Sequence, residues 1–233
     1  MIDTIEFSDR VRFARSVIEA EQRLVDESRI RESLRRVAGS LNGVRAFAAA
    51  FYFIRSNFVR HNFILGSRLD RHERMWAPIV KNLVEELGGA EGTQPTHNEL
   101  YRRFLESFGL NEAELAPDPF AVSFDEMWTS FVRDAEIKEA LLALGVYELL
   151  DGPDYSFMRD ELRAGKATSE CALEFFEVHS EVRHFEMFED AFEDIFADEA
   201  SLEKLRRATV FVLETQKTMW QHLASHLDAV GLH

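Results

Sequence analysis

The chain of 233 residues is poor in the residues that break or cross-link structure: one cysteine, five prolines and 11 glycines. A single cysteine, Cys171, excludes an intramolecular disulfide and any cysteine-based zinc finger. No apolar run is long enough to span a bilayer, and no signal peptide is evident, so a soluble, cytoplasmic protein is expected. Positive charge is also scarce. Lys and Arg number 27 against 42 Asp and Glu, and the net charge of −15 argues against nucleic acid or an anionic membrane as partner. Apolar residues are plentiful. They make up 46% of the chain, 20 of them Phe, which is enough for a large core.

Period-two alternation bounded by turn residues is also lacking, so no sheet is expected. The few Pro and Gly residues fall between stretches of helical periodicity, which predict helices near 8–27, 29–41, 43–66, 70–88, 97–109, 124–150, 170–197 and 199–229. No Pro/Gly/Ser linker divides them, and the reading is one all-α domain over 1–233, a bundle of about seven to eight helices. Two capping boxes mark helix starts, Thr96-His97-Asn98-Glu99 and Ser123-Phe124-Asp125-Glu126. Gly152-Pro153 is read as the end of the helix carrying Glu148.

The segment 175–184, FFEVHSEVRH, carries the strongest chemical signal. On a helix, Glu177, Glu181 and His184 fall within about 60° of one another. Glu181-x-x-His184 is the spacing with which a helix offers a carboxylate and an imidazole to one iron of a two-iron site. Burying such a face requires a counter-charge, which a divalent metal supplies. The other histidines are weaker candidates. His61 and His72 lie in an Arg-rich segment, and His222 and His226 have no Glu or Cys beside them to make a zinc site. Cys171 lacks the companions of a nucleophile.

The order of several motifs resembles the heme-oxygenase-like diiron oxidases and oxygenases, which share their fold with heme oxygenase, the thiaminase-like TenA proteins and the quinone synthase PqqC. The residues concerned are Asn82-Leu83-Val84-Glu85-Glu86-Leu87-Gly88-Gly89, then His97-Asn98-Glu99-Leu100, Phe108-Gly109-Leu110, and Gly145-Val146-Tyr147-Glu148-Leu149-Leu150, within roughly residues 45–225. The resemblance implies that Glu86, His97 and Glu148 are metal ligands, with Glu148 a candidate bridge.

The family closes its site with a His-x-x-x-Asp-x-x-His helix, and here this chain departs from the pattern. In one register Glu177, Glu181 and His184 stand at the three positions. In the other, His179, Arg183 and Glu186 do, which puts a guanidinium among the ligands. Charge favours the first, giving Glu86, His97, Glu148, Glu177, Glu181 and His184. Four carboxylates and two imidazoles suit two Fe(II) ions, with Mn/Fe as an alternative and O₂ as co-substrate.

No catalytic residue beyond the ligands is assigned. Arg55, Arg74, Tyr147 and Phe176 are candidate substrate-binding residues, two for a carboxylate and two for an apolar wall. The resemblance implies an oxidase or oxygenase of an amino-acid-like metabolite, by C–C cleavage, N-oxygenation or nitrile or alkene formation. A homodimer is compatible with this. The competing reading, favoured by the second register, is a metal-free protein of the same fold that binds a small molecule or a partner.

Overall fold

A computed structural model describes residues 4–69, 73–89, 91–181 and 195–231; the side chains at 73–75, 181 and 197 are outside that set. The described residues form helices and loops with no strand among them. The helices are α1 (Arg10–Ser28), α2 (Ile30–Val37), α3 (Leu41–Arg55), α4 (Phe58–Ser67), α5 (Glu73–Glu86), α6 (His97–Ser107), α7 (Pro119–Asp134), α8 (Ile137–Gly165), α9 (Glu174–Glu181) and α10 (Glu199–Val230). No helix among them is long and apolar enough to cross a membrane.

Local chemistry sets most of the starts. Asp9, Ser40, Thr96, Asp118 and Asp198 each stand at an N-cap with a side-chain oxygen accepting a backbone N–H three residues on. Thr96 caps α6 as its sequence predicts. The second capping box does not operate, because Asp118 caps α7 with Pro119 in its first turn, five residues ahead of Ser123.

Helix α8 is the axis of the bundle. From Ala140 to Glu148 every residue is buried, the pattern of a helix enclosed on all sides. It packs against α1, α2, α9 and α10, while α9 lies between α8 and α6. Gly152-Pro153 does not end it; the helix runs on to Gly165, with Ser156 Oγ donating to the Gly152 carbonyl at 2.7 Å. The predicted helix 43–66 is likewise two helices, α3 and α4, separated at Ser56 and Asn57.

Around this axis the aromatic residues form the site's wall. Tyr101, Tyr155, Phe175, Phe176, Phe104 and Phe47 are fully enclosed and meet mostly edge to face, as Tyr101 and Phe175 do at 4.7 Å and 85°.

Candidate metal centre

Three elements converge on one buried point. Helix α5 ends with Glu86, α6 begins with His97, and α9 carries His179. All three side chains are buried, and one potential ligand atom from each lies within 4.8 Å of the others.

The turn after α5 makes the first two meet. Gly88 and Gly89 both have positive φ, and Gly89 N–H returns to the Val84 carbonyl at 2.8 Å, closing the helix in a Schellman-like cap. Gln94 N–H then donates to the Gly88 carbonyl at 3.2 Å, folding the loop back so that Thr96 can start α6. His97 Nδ1 reaches Glu86 Oε1 at 3.0 Å.

A Cβ on Gly88 would stand 2.3 Å from the Gln94 carbonyl oxygen, whereas one on Gly92, also at positive φ, would meet nothing within 4 Å. Gly92→Ala is therefore expected to lose about 1–2 kcal/mol, the cost of left-handed backbone alone. Gly88→Ala, which must also move backbone, should lose more and weaken metal binding. Thermal unfolding and metal titration of the pair check this, and equal effects would contradict it.

His179 is fully buried and its tautomer is set by its neighbours. Its Nδ1 lies 2.7 Å from the Phe175 carbonyl, which can only accept, so Nδ1 carries the proton. Nε2 then presents its lone pair to the cluster, 3.0 Å from Arg55 Nη2, which can only donate. An imidazole held by a backbone carbonyl at Nδ1, with Nε2 turned into the cluster, has the orientation in which histidines ligate metals. The ring packs against His97 at 4.3 Å, Phe175 at 4.2 Å and Tyr155 at 4.4 Å.

Arg55, at the end of α3, is 3% exposed and bonds Glu86 through Nη2, at 3.0 Å to Oε1 and 2.8 Å to Oε2. Burial alone would raise the Glu86 carboxyl, but the Arg55 charge and the His97 hydrogen bond outweigh it and hold it well below the usual range. Burial pushes His179 well below the ordinary imidazole value, helped by the Arg55 charge.

Glu148 and Asp151, one turn apart on α8, form a second buried acidic pair. Burial, then the charges of Asp151 and Glu86, push Glu148 well above the usual carboxylate range, although Asn82 donates to its Oε1. Burial pushes Asp151 up to about 8, against the pull of Arg55. In the absence of a metal, burial favours the protonated form of both carboxyls.

The ligands expected from the sequence are thus distributed as follows. Glu86 and His97 stand together, and Glu148 is buried within electrostatic reach of Glu86. Glu177 faces outward instead, 42% exposed and ion-paired to Arg163 at 2.7 Å. The inward position on α9 belongs to His179, the residue of the other register. The Glu181 side chain and His184, with Arg183 and Glu186, lie outside the described residues.

Of the expected substrate-binding residues, Arg55 is tied to Glu86 and His179. Tyr147 stacks on Phe58 beside a cavity of about 10 Å³, too small for a substrate. Phe176 is enclosed in the core, and Phe175 is the ring that meets His179 and Arg55. The side chain of Arg74 is outside the described set. His61 is a buried core residue bonded to Asp125, and His222 pairs with Asp118.

Sequence reasoning left two participants unassigned. Asp151 carried a signal, being three residues after Glu148 on the same buried helix. Asn82 stood in the first motif but was given no role.

The chain is similar to known proteins over most of its length. A family model described as iron-containing redox enzyme matches residues 45–224, and the chain belongs to that family. A 4-aminobenzoate synthase from Chlamydia pneumoniae is 22% identical over 191 residues, covering 80% of this chain and 81% of that one. Two crystal structures of a CADD-like protein of unknown function from Nostoc punctiforme superpose with TM-scores of 0.70 and 0.65, each at 14% identity. The first match covers 91% of this chain and 98% of that chain, the second 82% of each. The fold is the all-α heme-oxygenase-like one.

The residues present fit the iron that the family implies. Two imidazoles and one carboxylate are the donor set of non-heme iron sites that keep open positions for O₂ and substrate.

Proposed function

We propose that the chain is a non-heme iron oxidase or oxygenase that uses O₂ on an amino-acid-like substrate. The convergence of Glu86, His97 and His179, all buried and with His179 Nε2 turned inward, carries this reading. These three would hold one iron. Glu148 would reach a second.

Bound Fe(II) would supply one-electron steps and an open position for O₂. The chain's own contribution follows from its residues. Phe175, Tyr155, Tyr101 and Phe58 keep bulk water from the ligands. Asp151, whose carboxyl burial pushes up to about 8 in the metal-free chain, is placed one turn from Glu148 to pass a proton to a developing anion. The relative described as a 4-aminobenzoate synthase supports a reaction whose product bears an amine, a carboxylate and an aromatic ring, which agrees with the aromatic wall.

Anaerobic Fe(II) loading, elemental analysis and O₂ uptake with a panel of amino acids and aminobenzoate precursors test the proposal. Two irons per chain and substrate-dependent O₂ uptake are expected. A folded chain that takes up no iron would remove it. That result would favour the alternative of a metal-free small-molecule binder, for which one observation speaks: Arg55 already neutralises Glu86.

A further inference from the structure

Arg55 uses the atoms a metal would use. Its Nη2 contacts both Glu86 oxygens and His179 Nε2 at 2.8–3.0 Å, and Glu86 in turn holds His97. A guanidinium and a dication cannot both sit on these atoms, since like charges repel strongly in a buried site. The rest of the guanidinium is unsatisfied. Nε and Nη1 are enclosed and have no hydrogen-bond partner among the described residues; only the faces of Phe58 and Phe175, at 5.8 and 5.6 Å, lie over the group.

A guanidinium has two forks for a carboxylate, Nε with Nη2 and Nη1 with Nη2. Each fork here consists of one unsatisfied nitrogen and the one that holds Glu86. Nη2 has two hydrogens, one on each fork, so a carboxylate seated on either fork competes for one of the two that Nη2 now shares between Glu86 and His179.

We propose that Arg55 is an exchange group, holding the ligands in place of the metal and turning to the substrate's carboxylate when metal enters. This rests on the metal-binding reading above and adds to it a substrate class and the residue that receives it. Metal and carboxylate then favour each other's binding, because each supplies what the other displaces. The coupling is reciprocal by thermodynamic necessity.

The test is calorimetric titration of the full metal-free chain with Mn(II), alone and with saturating benzoate or its neutral analogue benzamide. Benzoate is expected to tighten Mn(II) binding at least about fivefold, the lower end of ordinary coupling, and benzamide to have no effect. Arg55→Met should bind Mn(II) about tenfold more tightly than the natural chain without benzoate, and benzoate should no longer matter. It should also melt lower when metal-free and recover on adding Mn(II), because the metal replaces the lost charge.

Arg55→Lys keeps the charge but has no fork, and should bind Mn(II) while losing the benzoate effect; it serves where Arg55→Met does not fold. Mn(II) binding that is indifferent to benzoate, or no tighter in Arg55→Met, overturns the exchange role alone. Failure of both the natural chain and Arg55→Met to bind Mn(II) when folded overturns the metal reading and this inference with it.

Discussion

His179→Ala is expected to abolish iron loading, and Glu177→Ala to leave it unchanged. The two residues are two apart on α9, and helical geometry puts them on opposite faces. His179 is enclosed, with Nδ1 committed to the Phe175 carbonyl and Nε2 directed at Glu86 and Arg55. Loss of a residue that merely orients a ligand costs about 10–100-fold in metal affinity, so loss of a ligand should cost more. Glu177 pairs with Arg163 in a half-exposed ion pair that solvent screens. Its removal should scarcely affect stability or metal. His179→Gln, which fills more of the space, guards against a trivial packing loss. Elemental analysis with circular dichroism reads both effects, and iron retained by a folded His179→Ala would remove His179 from the centre.

That pair of residues also shows how far the sequence could be read. Element type came through well, because apolar periodicity and caps such as Thr96 are local. The meeting of Glu86 and His97 was legible because Glu86, the Gly88-Gly89 turn and His97 form one short stretch. On α9 a charge argument competed with a packing signal. Phe175, Phe176 and His179 are spaced three and four apart, the spacing of a single buried face, yet Arg183 made that register look unfavourable. A sequence does not reveal that a buried cation is already there: Arg55 is 31 residues from Glu86 and 124 from His179.

Gly152-Pro153 misled for a related reason. Helix α9 lies against this turn of α8, with the Ser180 carbonyl 4.0 Å from where a Cβ at Gly152 would stand, an ordinary contact. Packing against α9 beside His179 outweighs the local preference to stop.

The second large effect is a pH dependence of metal affinity. Without metal, burial pushes Glu148 above the usual carboxylate range and Asp151 up to about 8, which favours their protonated forms. A carboxylate must lose its proton to coordinate, so metal uptake through Glu148 releases one. The nearby dication also lowers Asp151 from about 8, which releases part of a second.

The sign is fixed by these directions. Metal competes with protons, so affinity rises with pH and is lost in acid. Each proton released contributes about tenfold per pH unit in the range where the metal-free group is protonated. Between pH 6 and pH 8 the affinity for Mn(II) should therefore rise, by up to about tenfold per pH unit for each proton released. Glu148→Gln should lower affinity and remove about one proton from the slope, while Asp151→Asn should reduce the slope and keep the ligand. Calorimetry in buffers of different ionisation enthalpy counts the protons directly. A slope unchanged in Glu148→Gln would mean that the metal is held by Glu86, His97 and His179 without Glu148. The second iron would then have to find its ligands elsewhere.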